Sequence, residues 1–290
     1  MFKGTGVALI TPFKEGEIDL ESYKKLIDFQ IKNDCQCLVV LGTTGEASTL
    51  TDEEKKQIIT TAVDHVNRRI PVLVGTGSNN TSVAIDSSKK AEALGADGVL
   101  VVTPYYNKAT QKGLITHFET IAKSIGIPLV LYNVPGRTGV NMEPETVEKL
   151  SQVKNIIGIK EASGNISQVL EIKRLVSEDF LIFSGNDDNI LPIYSIGGHG
   201  VISVMANVIP KETEEMCRSF SEGNIKKAIE LQVKYKKLFN HLFAEVNPIP
   251  VKAAMALMNK INNELRLPLT SMEDDKMNEL EKEMKTLNII

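Results

Sequence analysis

The chain has no tryptophan and only three cysteines, Cys35, Cys37 and Cys217, in 290 residues. Three cysteines cannot staple a secreted scaffold, and no spacing among them matches a zinc site. Cys35 and Cys37 stand two residues apart in a strand-like run and, like Cys217, are expected to serve as small packing groups. Histidine is equally sparse: His65, His117, His199 and His241 stand apart without ligand spacing, and no metal is expected. An excess of positive charge is also missing, since 33 basic against 37 acidic residues leave a net charge of −4. That balance gives no electrostatic footprint for nucleic acid. No window holds the ~18 consecutive apolar residues of a membrane span, and the opening MFKGTGVALITPF lacks a signal-peptide pattern. A cytoplasmic protein is the expectation. No G-x-G-x-x-G follows an early strand, which argues against a dinucleotide cofactor, and no cofactor of any kind is expected.

What the chain does have is alternation. Strand-like apolar runs recur at Val7 to Ile10, Cys37 to Leu41, Ile70 to Val74, Gly98 to Val102, Leu129 to Tyr132, Ile156 to Lys160, Leu181 to Ser184 and Gly200 to Val204. Between them lie amphipathic segments, such as Leu20, Tyr23, Leu26, Ile27 and Ile31, with apolar residues at helical spacing. Thr51 and Glu54 read as a capping box, and Pro144 as a first-turn proline. Eight βα units with buried, non-alternating strands predict an α/β fold, a closed (β/α)8 TIM barrel, over residues 1–224. Residues 225–290 read as a C-terminal helical appendage, with helices at Ile225 to Phe243, Pro250 to Asn262 and Asp274 to Leu287. The first of these is expected to include the last barrel helix.

A barrel of this kind places its active site at the C-terminal ends of its strands. Those ends carry Gly42-Thr43-Thr44-Gly45-Glu46, Thr103-Pro104-Tyr105-Tyr106-Asn107, Tyr132-Asn133-Val134-Pro135-Gly136-Arg137, Lys160-Glu161 and Ser184-Gly185-Asn186-Asp187-Asp188. Lys160 ends a buried strand, where an ammonium ion either finds a partner or sheds its proton. A neutral amine is a nucleophile that condenses with a ketone to give a Schiff base. Tyr132 can relay a proton to a carbinolamine, and Thr43 can bridge it to Tyr106. The Thr43-Thr44 turn offers successive N–H groups as a carboxylate cradle, and Arg137, on a loop after Pro-Gly, can hold a second carboxylate. Each residue taken alone has a plainer reading: a snorkelling lysine, a packing tyrosine, an ordinary turn, a solvated arginine. Gly197-Gly198-His199-Gly200 precedes the last strand and is expected as a turn at the opposite face.

These rim motifs, with Gly158-Ile159-Lys160-Glu161-Ala162-Ser163-Gly164 and Asn247-Pro248-Ile249-Pro250-Val251-Lys252, closely resemble the dihydrodipicolinate synthase family, also called 4-hydroxy-tetrahydrodipicolinate synthase. The resemblance runs in order from Gly4 to about residue 270. It implies a lyase of the class I aldolase type in lysine and diaminopimelate biosynthesis, acting on pyruvate and L-aspartate 4-semialdehyde. Lys160 would form the Schiff base, and Tyr132, Thr43 and Tyr106 would form the proton relay, Tyr106 crossing from a neighbouring subunit. Thr43 and Thr44 would hold the carboxylate of pyruvate, Arg137 that of the semialdehyde, while Gly185 and Ile202 would line the lysine pocket. A homotetramer built as a dimer of dimers is implied. Sister aldolases on the same barrel, such as N-acetylneuraminate lyase, usually lack the Thr-Thr turn and the arginine. One departure concerns regulation: members inhibited by lysine hold it with histidines and a glutamate, where Asp52, Lys55 and Val83 stand here beside matching Ser48, Asn79 and Tyr105. Weak or absent inhibition by lysine is expected.

Overall fold

A computed structural model describes residues 2–290. Eight parallel strands run β1 Gly4–Ala8, β2 Cys37–Val40, β3 Val72–Gly75, β4 Gly98–Val102, β5 Leu129–Asn133, β6 Ile156–Glu161, β7 Leu181–Ser184 and β8 Gly200–Ser203. Each pairs with its neighbours in sequence, and β1 pairs with both β8 and β2, so the sheet closes into a barrel. Closure buries both faces of every strand, which is why the runs are apolar without alternation. The first strand begins three residues earlier than hydropathy indicates. Gly4 and Gly6 carry no apolar signal, yet Gly4 pairs with Gly200 so closely that a Cβ on Gly200 would collide with the Gly4 carbonyl. The third begins at Val72 rather than Ile70, because Pro71 cannot donate to the ladder.

Helices α1 Leu20–Lys32, α2 Asp52–Val66, α3 Thr81–Ala93 and α4 Gln111–Lys123 follow the first four strands. The single turn α5 Pro135–Thr138, then α6 Pro144–Ser151, α7 Ile166–Leu175 and α8 Ile190–Ser195, continue the ring. Thr51 and Glu54 make the reciprocal capping box on α2, and Pro144 occupies the first turn of α6. The ring ends with α9 Pro210–Ser221, which corrects the sequence reading of Ile225 to Phe243 as the last barrel helix. Charged residues dilute the apolar signal of α9. Its inner face is Thr213, Met216 and Cys217, and Glu214 accepts the Thr5 N–H at 2.7 Å. Beyond it lie α10 Ile225–Lys234, α11 Lys236–Leu242, α12 Ile249–Leu257 and α13 Asp274–Thr286, with a break at Tyr235 inside the segment expected to be one helix.

Two packing regions result. The larger fills the space between strands and helices; the smaller is the lumen, built from Ala8, Cys37, Val39, Leu73, Leu100, Val130, Tyr132, Phe183 and Ile202. Phe2 stacks on Phe183 at 4.5 Å and closes the lumen from the N-terminal side, in room left by Gly6, where a Cβ would meet the Phe2 ring. A register shift between β5 and β6 sets Leu129 opposite Ile156 but Val130 opposite Gly158. Simple alternation would put Ile156 and Lys160 on one face. The irregularity leaves Ile156 outside the barrel and brings Lys160 level with Tyr132 and Phe183.

Candidate active site

Lys160 lies inside the barrel mouth, 6% exposed, with its Nζ 4.4 Å from the centroid of the Tyr132 ring. Gly185 makes that possible, since a Cβ there would stand 2.5 Å from Ala162 Cβ and 3.2 Å from Lys160 Cε. Among the described residues no carboxylate comes within ion-pair distance of this amine. Burial lowers it to about 8, the charge of Asp187 opposing that shift and that of Arg137 reinforcing it. The Tyr132 phenol is pushed up to about 12 by burial, against the charge of Arg137 and the Thr43 hydroxyl. Both shifts run toward the neutral forms: more of the amine is free to attack than in an ordinary lysine, and the phenol keeps a proton to donate.

The Gly42-Thr43-Thr44-Gly45 segment folds as a 3-10 turn after β2. Its first N–H groups, on Thr43 and Thr44, have no acceptor in the turn, as helix geometry requires. Among the described residues they donate to no protein group. Thr44 is buried, and its hydroxyl accepts from Asn247 Nδ2 at 2.9 Å. Thr11 Oγ1 donates to the Gly45 carbonyl at 2.7 Å. Leu41 and Glu46, on either side of the turn, both adopt left-handed backbone with φ of 55° and 52°. Conformations of that kind cost on the order of 1–3 kcal/mol for a residue with a Cβ and persist where the surroundings enforce them.

Arg137 is carried on α5 rather than on an irregular loop, which corrects the sequence reading. Pro135 starts that turn and Gly139, at φ 73°, ends it. The guanidinium donates from Nη2 to the Asn247 carbonyl at 3.2 Å, which aims the fork along the rim. A cavity of about 830 Å³ links this rim, at Gly42, Thr43, Tyr132, Val134 and Arg137, to the gap between α2 and α3, where Ser48, Asp52, Lys55, Val83 and Tyr105 face it. In that gap Asp52 is held by Lys90 at 3.0 Å and approached by Lys55 at 3.9 Å.

Of the residues singled out from the sequence, Lys160, Tyr132, Thr43, Thr44, Arg137, Gly185 and Ile202 gather at one barrel mouth. Tyr106 does not join them within one chain: it is 89% exposed, on left-handed backbone at φ 74°. Sequence reasoning assigned no role to Asp187. It is buried, its Oδ2 accepts the N–H groups of Val204 and Met205 at 3.1 and 2.9 Å, and its Oδ1 has no hydrogen-bond partner among the described residues. Burial raises its pKa, with Ser203, Met205, Val204 and Lys160 opposing. Its signal was its place, three residues past the end of β7. Glu161, next to Lys160 on the outer face, accepts from Asn133 Nδ2 at 2.9 Å and from the Ser163 N–H at 2.6 Å, which fixes the end of β6. Asn247 also went unassigned, because nothing local in the sequence shows it touching Thr44.

Comparison with known proteins follows the same lines. The model of the dihydrodipicolinate synthetase family matches residues 1–287. The chain is 63% identical over 290 residues to a 4-hydroxy-tetrahydrodipicolinate synthase of Alkaliphilus oremlandii, covering 100% of both. It superposes on a dihydrodipicolinate synthase structure from Thermotoga maritima with a TM-score of 0.99 at 46% identity, covering 100% of both chains. A lysine-bound structure of the enzyme from Cyanidioschyzon merolae matches with a TM-score of 0.97 at 40% identity, over 100% of this chain and 99% of that one.

Proposed function

The chain belongs to the dihydrodipicolinate synthetase family, and from that premise we infer how its barrel mouth condenses pyruvate with L-aspartate 4-semialdehyde. The enzyme is a lyase of the class I aldolase type, and its product, 4-hydroxy-tetrahydrodipicolinate, serves lysine and diaminopimelate biosynthesis. In our reading the neutral Lys160 amine attacks C2 of pyruvate, and the carbinolamine loses water to give an imine. Loss of a C3 proton makes the enamine, whose C3 attacks the aldehyde carbon of the second substrate while the new alkoxide takes a proton. The amino group of the adduct then displaces Lys160 from the imine carbon and closes the ring. One water is released overall.

Tyr132 and Thr43 stand where protons move at the carbinolamine, and Tyr106 would complete the relay from a second copy. The N–H groups of Thr43 and Thr44 would hold the carboxylate of pyruvate, and Arg137 that of the semialdehyde. Gly185 and Ile202 would shape the wall of the lysine pocket. Two carboxylate sites flanking one amine suit two acid substrates, and holding both in line supplies much of the rate. The observation that carries this reading is the buried Lys160, free of any carboxylate within ion-pair distance among the described residues and resting on the Tyr132 ring. Borohydride added with pyruvate should fix a mass increment on Lys160 and none on Lys160→Ala. An adduct that survives in that variant sinks the assignment.

The exposed ring of Tyr106 supports an assembly in which it enters a neighbour's site, and the reading extends to a tetramer made of two such dimers. Three buried, unpaired cysteines suit a reducing compartment, so the cytoplasm is its assigned place; recovery outside that fraction would overturn this. In the gap between α2 and α3, Asp52 is already engaged by Lys90 and Lys55. A bound lysine would find its ammonium group opposed there, and inhibition by lysine would be weak or absent.

A further inference from the structure

Lys252 is fully buried, yet it lies on α12, whose other members from Ile249 to Met255 are all apolar. Its Nζ donates to Glu46 Oε1 at 2.6 Å, and neither side chain is exposed at all. The second carboxylate oxygen of Glu46 accepts the Arg266 N–H at 3.1 Å. Phe13 closes the pair from one side, its ring centroid 4.2 Å from Lys252 Nζ and 4.5 Å from Arg266 Cζ. Burial holds the lysine below its ordinary value while Glu46 opposes the shift.

The pair sits at a place where geometry matters. Glu46 is the left-handed residue that ends the Thr43–Gly45 turn, and its N–H donates to the Thr43 carbonyl at 3.1 Å. A glutamate has no intrinsic preference for that backbone, so its carboxylate must be anchored elsewhere for the turn to keep its shape. The anchor comes more than 200 residues away in sequence, 206 for Lys252 and 220 for Arg266. Asn247, just before α12, holds the Thr44 hydroxyl from the same segment. A buried ion pair is no gain in stability over an apolar pair of similar volume, so its presence here calls for another reason.

We propose that the Glu46–Lys252 pair is a positioning device for the carboxylate cradle: it fixes the N–H groups of Thr43 and Thr44 at the orientation that receives the carboxylate of the keto acid. Neither residue touches substrate, so both act through the turn. The inference rests on the pyruvate reading given above, and wild-type trapping separates the two, because absence of any adduct in the wild type would sink that reading itself.

The test compares wild type with Lys252→Met and with Glu46→Gln/Lys252→Met, in which both charges are gone and an amide oxygen can still accept the Arg266 N–H. Half-saturating pyruvate in borohydride trapping should rise about tenfold in the double variant, the scale expected when a binding group is tilted without being lost. The KM for aspartate semialdehyde should stay within about twofold, since Arg137 is untouched, and the melting temperature should stay near that of wild type. Lys252→Met, which leaves a buried carboxylate unpaired, should melt lower and bind pyruvate less well. Unchanged pyruvate half-saturation in a folded variant overturns the proposal. So does equal loss toward both substrates, or failure of both variants to fold, because either would make the pair part of the scaffold alone.

Discussion

At the scale of the residue, the proposed chemistry turns on one amine and the charges that face it. Burial and Arg137 favour neutral Lys160, Asp187 favours the ammonium ion, and the balance falls at about 8. The amine must be neutral to attack, so raising the pH through that value increases the nucleophile. At pH 7 about one molecule in ten carries a neutral Lys160. The initial rate of adduct formation at low pyruvate should therefore climb with pH and level off above about 8. Asp187→Asn removes the opposing charge and should move the rise to lower pH. Rapid-mixing trapping across the pH range measures both, and a flat profile would show that deprotonation of Lys160 does not limit the step. Lys160 was legible in sequence as an amine at a buried strand end. Its lack of an ion-pair partner was not, because partners come from other strands.

Elements explain how the Thr43–Glu46 turn, the proposed carboxylate cradle, keeps its shape. Strands β2 and β3 approach where Gly75 faces the Leu41 carbonyl, and a Cβ at 75 would overlap that oxygen and lie 3.1 Å from the Gly42 nitrogen. Leu41 is itself left-handed and buried, so it has little freedom to retreat. Gly75→Ala should destabilise the protein by about 1–3 kcal/mol, the usual cost of overpacking, and weaken pyruvate binding as well. Urea unfolding alongside trapping would check this; wild-type stability in the variant would mean that the loop yields freely. The helices with capping signals, α2 and α6, were readable from Thr51, Glu54 and Pro144. The ones misread were α9, where charges mask a narrow buried face, and the α10–α11 pair, where no proline or glycine marks the break at Tyr235.

For the whole molecule, the open question is what one chain leaves incomplete. Tyr106 is exposed, so in the proposed relay it would reach the site of a second copy. Sedimentation should find at least a dimer under assay conditions, and Tyr106→Phe should lower kcat without dissociating it. An active monomer would remove Tyr106 from the mechanism. A lysine titration of the initial rate should show little inhibition below millimolar concentrations, and half-inhibition there would show that Asp52 can exchange its lysine partners for the ligand. Sequence alone determined the barrel, the order of its strands and the rim on which the reactive groups lie. Hydrophobic periodicity and strand ends are local properties, and they suffice for that. Tertiary structure decided the rest: that a register shift turns Lys160 inward, that Asp187 faces it, and that a segment near the C-terminus grips the Thr43–Glu46 turn through Asn247, Lys252 and Arg266. Those are contacts between residues distant in the chain, where a buried charge reveals its need for a partner but only the packed fold supplies one.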